Sequence, residues 1–350
     1  MSSVGVIVLF VLTGVVMPIF LLSQVCGSSE SAILDKSFSG CLKGLFAVYI
    51  ALGHLVLLSE PSTSLLLPLQ NFGYLCVAFF FMMSGYGLTL GYLKGGLKGF
   101  AKKRIFKIYV PYMVATLIIG LLYLAFMEDI KISDILIKAL LMRPVYADRM
   151  LWYVFVQVLM YIFFWISFKF APDKKNNLYK LLVLLALTLA YIAVCKVIHE
   201  SLWSYKTVLC FPLGVGIALY KDKVISIIKK YFLIFVLPAS VLCIIGFAFV
   251  CLNKHNFVMS IMSSFLFACV TLFLSYKFTT IKSKVLSFLG DISYEYYIFQ
   301  LPIIHIVMHN IDAKIDYLYS PVIVLVTMVL ALLAHKIADF ICKKIDAIIL

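Results

Sequence analysis

Long apolar runs recur along this chain of 350 residues, and each is about as long as a bilayer is thick. A helix of about 20 residues spans the hydrocarbon core, where every backbone polar group must be satisfied within the helix. About eleven such runs are predicted: 4–22, 42–58, 73–92, 107–127, 150–168, 180–197, 206–220, 231–251, 257–275, 286–309 and 320–341. The seventh is short and contains Pro212, Gly214 and Gly216, which favours a kinked or re-entrant segment. The sequence therefore predicts an all-α, polytopic membrane bundle.

Composition excludes an ordinary soluble domain. Hydrophobic residues make up 64% of the chain and charged residues 13%, whereas globular domains carry roughly 25% charged residues. A net charge of +14 would suggest a nucleic-acid partner for a soluble chain, but in a membrane protein it is typical of cytoplasmic loops and contact with anionic lipids. We therefore expect membrane lipids, and no nucleic acid, as partners. The nine cysteines show no CxxC or Cys/His spacing, so neither a disulfide framework nor a metal site is predicted.

Lys and Arg are distributed unevenly between the two sets of predicted loops. The loops that follow odd-numbered spans, together with the C-terminus, hold 22 of these residues, and the opposite set holds 8. Because Lys and Arg are retained on the cytoplasmic side, this predicts an N-terminus outside and a C-terminus inside the cell. The start of the chain lacks the basic segment of a secretory signal, so span 4–22 is expected to be retained. Residues 1–37 then form an extra transmembrane helix with a cytoplasmic loop, and residues 38–350 form the main membrane domain.

Span 2 carries two polar residues on one helical stripe. His54 follows Lys43 by eleven positions, which returns to nearly the same azimuth after a rise of about 16 Å. Lys43 would then lie at the cytoplasmic mouth and His54 near mid-membrane. Histidine accepts and returns protons near neutral pH, so His54 is a candidate catalytic base. The alternative is a histidine hydrogen-bonded at a helix contact and a lysine at the membrane edge.

Two further stretches combine small, aromatic and basic residues. Ser84 and Gly85 follow three phenylalanines, an arrangement that permits close helix packing and also suits a channel lining. Arg104 and Lys107 lie three residues apart, on one helix face, just before span 4. With Lys43 they form either a clamp for phosphate groups from the cytosol or ordinary membrane anchors.

Polar groups also cluster in span 10, where Asp291, Glu295, Gln300 and His305 stand close together. Such groups within a membrane usually face a cavity or a partner. Glu295 is interpreted either as a group that orients or charge-balances His54, or as a carboxylate paired with a cation. The stretch 151–153, at the outer entry of span 5, is either an interfacial aromatic belt or a stacking surface for a sugar.

Taken in order, these stretches resemble the acyltransferase-3 family of integral membrane O-acyltransferases along most of residues 38–342. The family patterns, with the residues that match them here, are an early Arg/Lys-x10-His (Lys43, His54), FF-x-x-SG-[YF] (Phe80 to Tyr86), RxxR before a proline (Arg104, Lys107), LW[YF] (Leu151, Trp152, Tyr153) and ISY-x-x-Y (Ile292, Ser293, Tyr294, Tyr297). Lysine replaces the second arginine of the third pattern. Family members often have histidine where Gln300 stands, and span 1 precedes the ten-span core that they share.

The resemblance implies transfer of an acyl group, usually acetyl, from cytosolic acyl-CoA to a hydroxyl of a surface polysaccharide or lipid-linked sugar. Residues 38–350 would be the acyltransferase domain, in the plasma or inner membrane of a bacterium. The implied roles are catalytic for His54 and Glu295, acyl-CoA binding for Lys43, Arg104 and Lys107, and substrate binding for Ser84, Trp152, Tyr153, Tyr294 and Gln300. Acetyl-CoA is the expected co-substrate, with no metal.

Several alternatives stay open at the level of sequence. His54 would act either as a general base towards the incoming hydroxyl or as the carrier of the acyl group. A polysaccharide or lipid-linked sugar transporter is the competing class, although such proteins commonly show internal repeats with broken helices in corresponding positions. Only the seventh span is interrupted in this way. A glycan polymerase would be expected to have a larger extracytoplasmic loop.

Overall fold

The computed structural model describes residues 33–58, 67–127, 131–140, 152–171, 176–252, 256–277, 283–310 and 320–349. These residues are helical nearly throughout, and no strand occurs among them. The predicted all-α membrane bundle is therefore confirmed. The predicted first span, 4–22, and the inferred boundary at residue 37 fall wholly or largely outside the described ranges, so the extra N-terminal helix stays a prediction.

The described helices are numbered here in chain order. They are α1 (Lys36–Leu58), α2 (Leu67–Gly95), α3 (Phe100–Arg104), α4 (Val110–Phe126), α5 (Ile132–Leu140), α6 (Trp152–Lys169), α7 (Asn177–Val197), α8 (Cys210–Leu219), α9 (Lys221–Leu252), α10 (Phe257–Lys277), α11 (Lys284–Asp291), α12 (Ser293–Asn310) and α13 (Ser320–Ile349). A π-helical turn, Ile105–Tyr109, joins α3 to α4, and a 3-10 turn, Leu202–Ser204, precedes α8.

Eight described segments are long and apolar enough to cross a membrane. They are Lys36–Leu58, Pro68–Gly95, Phe100–Phe126, Trp152–Lys169, Asn177–Val197, Lys221–Leu252, Phe257–Tyr276 and Ser320–Ala347. The helices α1 and α2 are 61% and 72% buried, whereas α7, α9 and α13 are 28% buried or less. Consequently α1 and α2 occupy the centre of the bundle, and the other three present most of their surface to lipid.

Two predicted spans differ from the observed helices. The seventh is the ten-residue helix α8, too short to cross a bilayer at about 1.5 Å per residue. The tenth, predicted as one helix over 286–309, is divided into α11 and α12 at Ile292. Ser293 Oγ donates a hydrogen bond to the Gly290 carbonyl at 2.8 Å, so a local side-chain bond competes with the regular helical ladder there.

A π-helical turn interrupts the long segment that carries the predicted basic step. The turn closes with a hydrogen bond from the Val110 N–H to the Ile105 carbonyl, five residues back. Pro111 follows directly and has no N–H to extend the ladder. The turn also exposes a carbonyl to a neighbouring helix, because Tyr294 of α12 donates its hydroxyl to the Ile108 oxygen at 3.2 Å.

Two glycine contacts hold helices at backbone distance. A Cβ on Gly44 of α1 would overlap the Leu286 carbonyl of α11, and one on Gly290 would overlap the Gly40 carbonyl. The second contact joins α2 to α8 through Gly85 and Gly214. Glycine at such positions allows the close helix approach that is typical of membrane interfaces. The first contact sets Asp291, the last residue of α11, beside the α1 stripe that begins at Lys43.

Candidate active site

A cavity of about 360 Å³ opens among α1, α2, α6 and the start of α12; we call it the cationic cavity. Its lining includes Lys43, Arg104 and Lys107, with Asp291 as the carboxylate beside them. Three cations therefore outnumber one acidic group, and the cavity is suited to an anion. The structure brings together the three side chains that the sequence predicts as a phosphate clamp.

Each cation is held differently. Lys43 interacts electrostatically with the Asp291 carboxylate and with Lys107. The Arg104 guanidinium lies over the ring of Tyr161, with 5.5 Å between its central carbon and the ring centroid, and its buried Nε has no hydrogen-bond partner among the described residues. Stacking on an aromatic ring orients a guanidinium while leaving its N–H groups free to bind phosphate. The start of the π-turn segment therefore presents Arg104 to the cavity.

Gln157 of α6 lines the cationic cavity and has the least satisfied side chain there. It is 4% exposed, and neither its Oε1 nor its Nε2 has a hydrogen-bond partner in the described part of the chain. A buried, unpaired carboxamide costs about 1–3 kcal/mol in desolvation. This cost would be recovered if a polar ligand entered the cavity and formed hydrogen bonds with the amide.

The predicted substrate-binding residues Ser84, Tyr153 and Tyr294 also line the cationic cavity. Ser84 lies beside the Tyr153 hydroxyl, and the Tyr294 hydroxyl is engaged by the Ile108 carbonyl. Tyr294 therefore ties α12 to the π turn, and its ring forms part of the wall.

A second cavity, of about 420 Å³, surrounds His54 near the opposite end of α1; we call it the histidine cavity. Trp152, Trp203, Lys206 and Gln70 are among its lining residues. The rings of Trp152 and Trp203 pack with their centroids 5.6 Å apart and their planes inclined by 54°. Trp152, predicted from sequence to bind substrate, thus lies in the same cavity as the predicted catalytic histidine.

His54 has little polar support from the protein. Its Nδ1 is buried and accepts or donates no hydrogen bond within the described ranges. The side chain of Gln300, which is 0% exposed, interacts with the imidazole, but no described group forms a well-aligned hydrogen bond with either polar atom of its amide. Gln300 thus lies behind His54 and is placed to fix the ring, while the cavity side of the imidazole is left for a ligand.

The two cavities share a wall. Ile50, Val77 and Tyr297 appear in the lining of both. Tyr297 packs edge-on against Tyr153 with 5.5 Å between ring centroids. Because α6 begins at Trp152, its first two residues divide between the cavities, Trp152 in the histidine cavity and Tyr153 in the cationic one. A single layer of side chains therefore separates the cations from His54.

Glu295 does not orient His54. Its carboxylate accepts a hydrogen bond from His335 Nδ1 of α13 at 2.9 Å, and it lines neither cavity. The structure thus corrects the expectation of a catalytic His54–Glu295 pair in favour of the second alternative, a carboxylate paired with a cation. The reason is that the two side chains leave α12 on different sides. Glu295, at the start of the helix, projects towards α13, whereas Gln300, further along, projects towards His54.

His305 also lies outside both cavities. Its Nδ1 is 3.1 Å from the Tyr123 hydroxyl, and the two rings stack with 5.9 Å between centroids and 15° between planes. Half of the polar cluster predicted in span 10 therefore bridges helices. Among the described histidines, His54 is the one that lines either of the two cavities.

Residues 37–336 match the model of acyltransferase family 3, described as an acyltransferase domain. The chain belongs to the acyltransferase-3 family. No curated protein and no solved structure matches it. This membrane protein is therefore an acyltransferase.

The structure of this acyltransferase brings most of the motif residues to the linings of two adjacent cavities. The cationic cavity takes Lys43, Ser84, Arg104, Lys107, Tyr153 and Tyr294, and the histidine cavity takes His54 and Trp152. Leu151, the first residue of its motif, lies outside the described residues. Sequence analysis missed further lining residues, namely Gln157, Tyr161, Gln70, Asn71, Trp203 and Lys206. A lone amide within an apolar run is the signal that identifies Gln157.

Proposed function

We propose that this acyltransferase moves an acetyl group from cytosolic acetyl-CoA to a hydroxyl of a surface polysaccharide or lipid-linked sugar. The observation that supports this most directly is the shared wall, which sets a cation-lined cavity against the cavity that contains His54. One cavity suits a phosphorylated donor and the other suits a sugar.

CoA phosphates cannot enter lipid, and they need cations at the membrane surface. Lys43, Arg104 and Lys107 line the end of the bundle that the charge distribution assigns to the cytoplasm. Lys43 lies eleven residues from His54, a helical rise of about 16 Å, so an extended arm must carry the thioester inward. Gln157 lies along this route and its carboxamide complements the amides of the pantetheine arm.

His54 would carry out the chemistry by one of two routes. As a general base, it takes the proton of the acceptor hydroxyl while the oxygen attacks the thioester carbonyl; the C–S bond breaks, and the thiolate recovers the proton from the imidazolium. As a carrier, an imidazole nitrogen attacks the thioester, the C–S bond breaks, and the ring N–H proton leaves with the CoA thiol; the acceptor oxygen then attacks the acyl-imidazole, and its proton returns to the ring. Acyl exchange between CoA and a labelled CoA, without acceptor, occurs only by the second route.

The acceptor would enter from the outer end, past Trp152 and Tyr153, in a bacterial plasma membrane with the C-terminus inside. The narrow wall between the cavities favours a small acyl group over a long one. Family membership favours acyl transfer over the transporter alternative. A transporter would move an unmodified sugar and form no new ester.

Sidedness provides the test. In right-side-out vesicles, labelled acetyl-CoA loaded inside is expected to give acylated product, whereas acetyl-CoA added outside gives none. Product from external acetyl-CoA would contradict a cytosolic donor. Movement of an unmodified sugar without ester formation would instead support the transporter.

The orientation of the same vesicles needs an independent measurement. We expect an impermeant thiol reagent added outside to label Ser62→Cys, in the predicted outer loop, but not Lys98→Cys, in the predicted inner loop. The unsubstituted chain, which has native cysteines, provides the background. The reverse labelling pattern would invert the assignment of the two cavities.

A further inference from the structure

The histidine cavity contains a cation to which the reaction so far gives no role. Lys206 belongs to the segment between α7 and α8, outside the membrane-spanning helices, and its side chain lines the cavity that holds His54. Charge distribution assigns this segment to the outer face, where lysine is disfavoured as a topological anchor. The positive-inside rule therefore does not explain Lys206.

The surroundings of Lys206 leave its charge uncompensated. The ammonium lies over the ring of Tyr74, 4.2 Å from the centroid, and no described carboxylate forms an ion pair with it. Burial lowers the pKa of Lys206 to about 8, and no acidic neighbour opposes the shift. A buried ammonium without a counter-ion is stabilised most when the ligand brings an anionic group into contact with it.

The rest of the lining suits a sugar ring. Trp152 and Trp203 form an angled pair of aromatic faces, and flat aromatic surfaces stack on the apolar C–H face of a pyranose. Gln70 and Asn71, at the start of α2, add carboxamides that both donate and accept hydrogen bonds. Aromatic faces, amides and one ammonium together describe a pocket for a sugar that bears a negative charge.

We propose that the acceptor is an acidic sugar, which carries a carboxylate or phosphate near the acylated hydroxyl, and that Lys206 binds this anion. The inference rests on the proposed function and names its acceptor class. Lys206 holds the anionic group, the tryptophans hold the ring, and the remaining hydroxyl points towards His54. Neutral sugars of the same shape then bind weakly.

Binding can be measured without turnover. Trp165 is the third tryptophan of the chain and lines neither cavity, so Trp165→Phe leaves Trp152 and Trp203 as the fluorescent reporters. In this background we expect methyl glucuronoside and glucose 6-phosphate, but not methyl glucoside, to change the emission saturably. A response to only one acidic probe identifies carboxylate or phosphate as the anion. Equal responses to all three sugars, or a response to none, would overturn the proposal.

The role of the ammonium is tested by two substitutions and a matched control. Lys206→Met should weaken binding of the acidic sugar about ten- to a hundredfold, and Lys206→Arg should restore most of it. Lys196→Met is the control, because Lys196 also lies over an aromatic ring, Phe257, at 3.5 Å but lines neither cavity. An unchanged affinity in Lys206→Met, or equal losses in Lys206→Met and Lys196→Met, would contradict the assignment.

Turnover separates this inference from the proposed function. With acetyl-CoA as donor, Lys206→Met should raise KM for the acidic acceptor and change kcat little. Binding of acidic sugars without any acyl transfer would leave the anion site standing and refute the proposed reaction. Acyl transfer that is equally efficient to neutral and acidic sugars would support the proposed reaction and refute the anion site.

Discussion

Gly85 of α2 and Gly214 of α8 contact each other's helix backbone directly. A Cβ on Gly214 would overlap the Met82 carbonyl, and a Cβ on Gly85 would overlap the Phe211 carbonyl. The contact fixes α8, the short helix that follows the Lys206 segment, against the helix that carries Ser84.

We expect Gly85→Ala and Gly214→Ala each to lower the free energy of unfolding by about 1–3 kcal/mol, because the added methyl group meets rigid backbone. Thermal unfolding in detergent measures the effect. Gly91→Ala, on an open face of α2, is the control and should be neutral or stabilising. Similar unfolding temperatures for all three variants would show that the helices are not in close contact.

Replacement of His54 by alanine should abolish acyl transfer while leaving expression and membrane insertion intact, since the imidazole lines a cavity and its Nδ1 forms no described hydrogen bond. Turnover of the purified variant is the measurement. His305→Ala is the control: it removes a histidine bonded to Tyr123, outside both cavities, and should retain catalysis. Turnover of more than a few per cent in His54→Ala would exclude the catalytic assignment.

Lys43→Ala and Arg104→Ala should weaken acyl-CoA binding by roughly 1.5–3 kcal/mol, or about ten- to more than a hundredfold. The loss should be greater for CoA than for its dephosphorylated fragments, which titration calorimetry can compare. Lys102→Ala serves as control, because Lys102 forms an ion pair with Asp346 at 2.8 Å and lines neither the cationic nor the histidine cavity. Small, equal losses of affinity for CoA and for its fragments would indicate that Lys43 and Arg104 are membrane anchors and not phosphate ligands.

Gln157→Leu should affect stability and function in opposite directions. Leucine removes two unpaired buried polar atoms, so the unfolding temperature should stay the same or rise. The KM for acetyl-CoA should rise because the pantetheine amides lose their partner. Phenyl thioacetate, a donor without amides, should be used equally well by both proteins. A similar loss with both donors would indicate a change in the shape of the cavity instead.

His335→Ala should destabilise the protein by about 3–5 kcal/mol, because it leaves the buried Glu295 carboxylate without its partner. Glu295→Ala should cost less, because His335 is 31% exposed and keeps Asp339 at 3.7 Å, and the double variant should show clearly less than additive loss. The coupling follows from their 2.9 Å hydrogen bond, in which Glu295 is almost fully buried. A double-mutant cycle in unfolding experiments measures it. Additive losses, together with a collapse of turnover in a stable Glu295→Gln variant, would instead support a direct role of Glu295 in the chemistry.

Local patterns in the sequence predicted the features that depend on a single helix. The continuous apolar runs gave the spanning helices, and the eleven-residue spacing put Lys43 and His54 along one helix with each lining a cavity. The break at Ile292 was not predicted, although Gly290, Asp291 and Ser293 surround it in the sequence. The bond that accompanies the break involves the Ser293 hydroxyl.

Features that depend on contacts between helices were beyond the sequence patterns. The partner of Glu295 lies forty residues away on α13, and nothing local distinguishes His335 from His54 as that partner. Lys206 and Trp203 could not be assigned to the site from sequence, because only the tertiary structure brings the α7–α8 segment to the cavity that contains His54. Groups of this kind are identified only in the folded structure, where side chains from distant parts of the chain line one cavity.

The wall formed by Ile50, Val77 and Tyr297 has a bioenergetic consequence. In the proposed reaction, the outer compartment contains no activated acetyl groups of its own, and every ester made there must draw on a thioester formed inside. In that reaction, a closure of one layer of side chains would let the acetyl group reach the outer cavity while the CoA phosphates stay on the inner cations, and it would limit the passage of hydrated ions. The cell would thus export chemical energy across its permeability barrier without discharging the proton gradient.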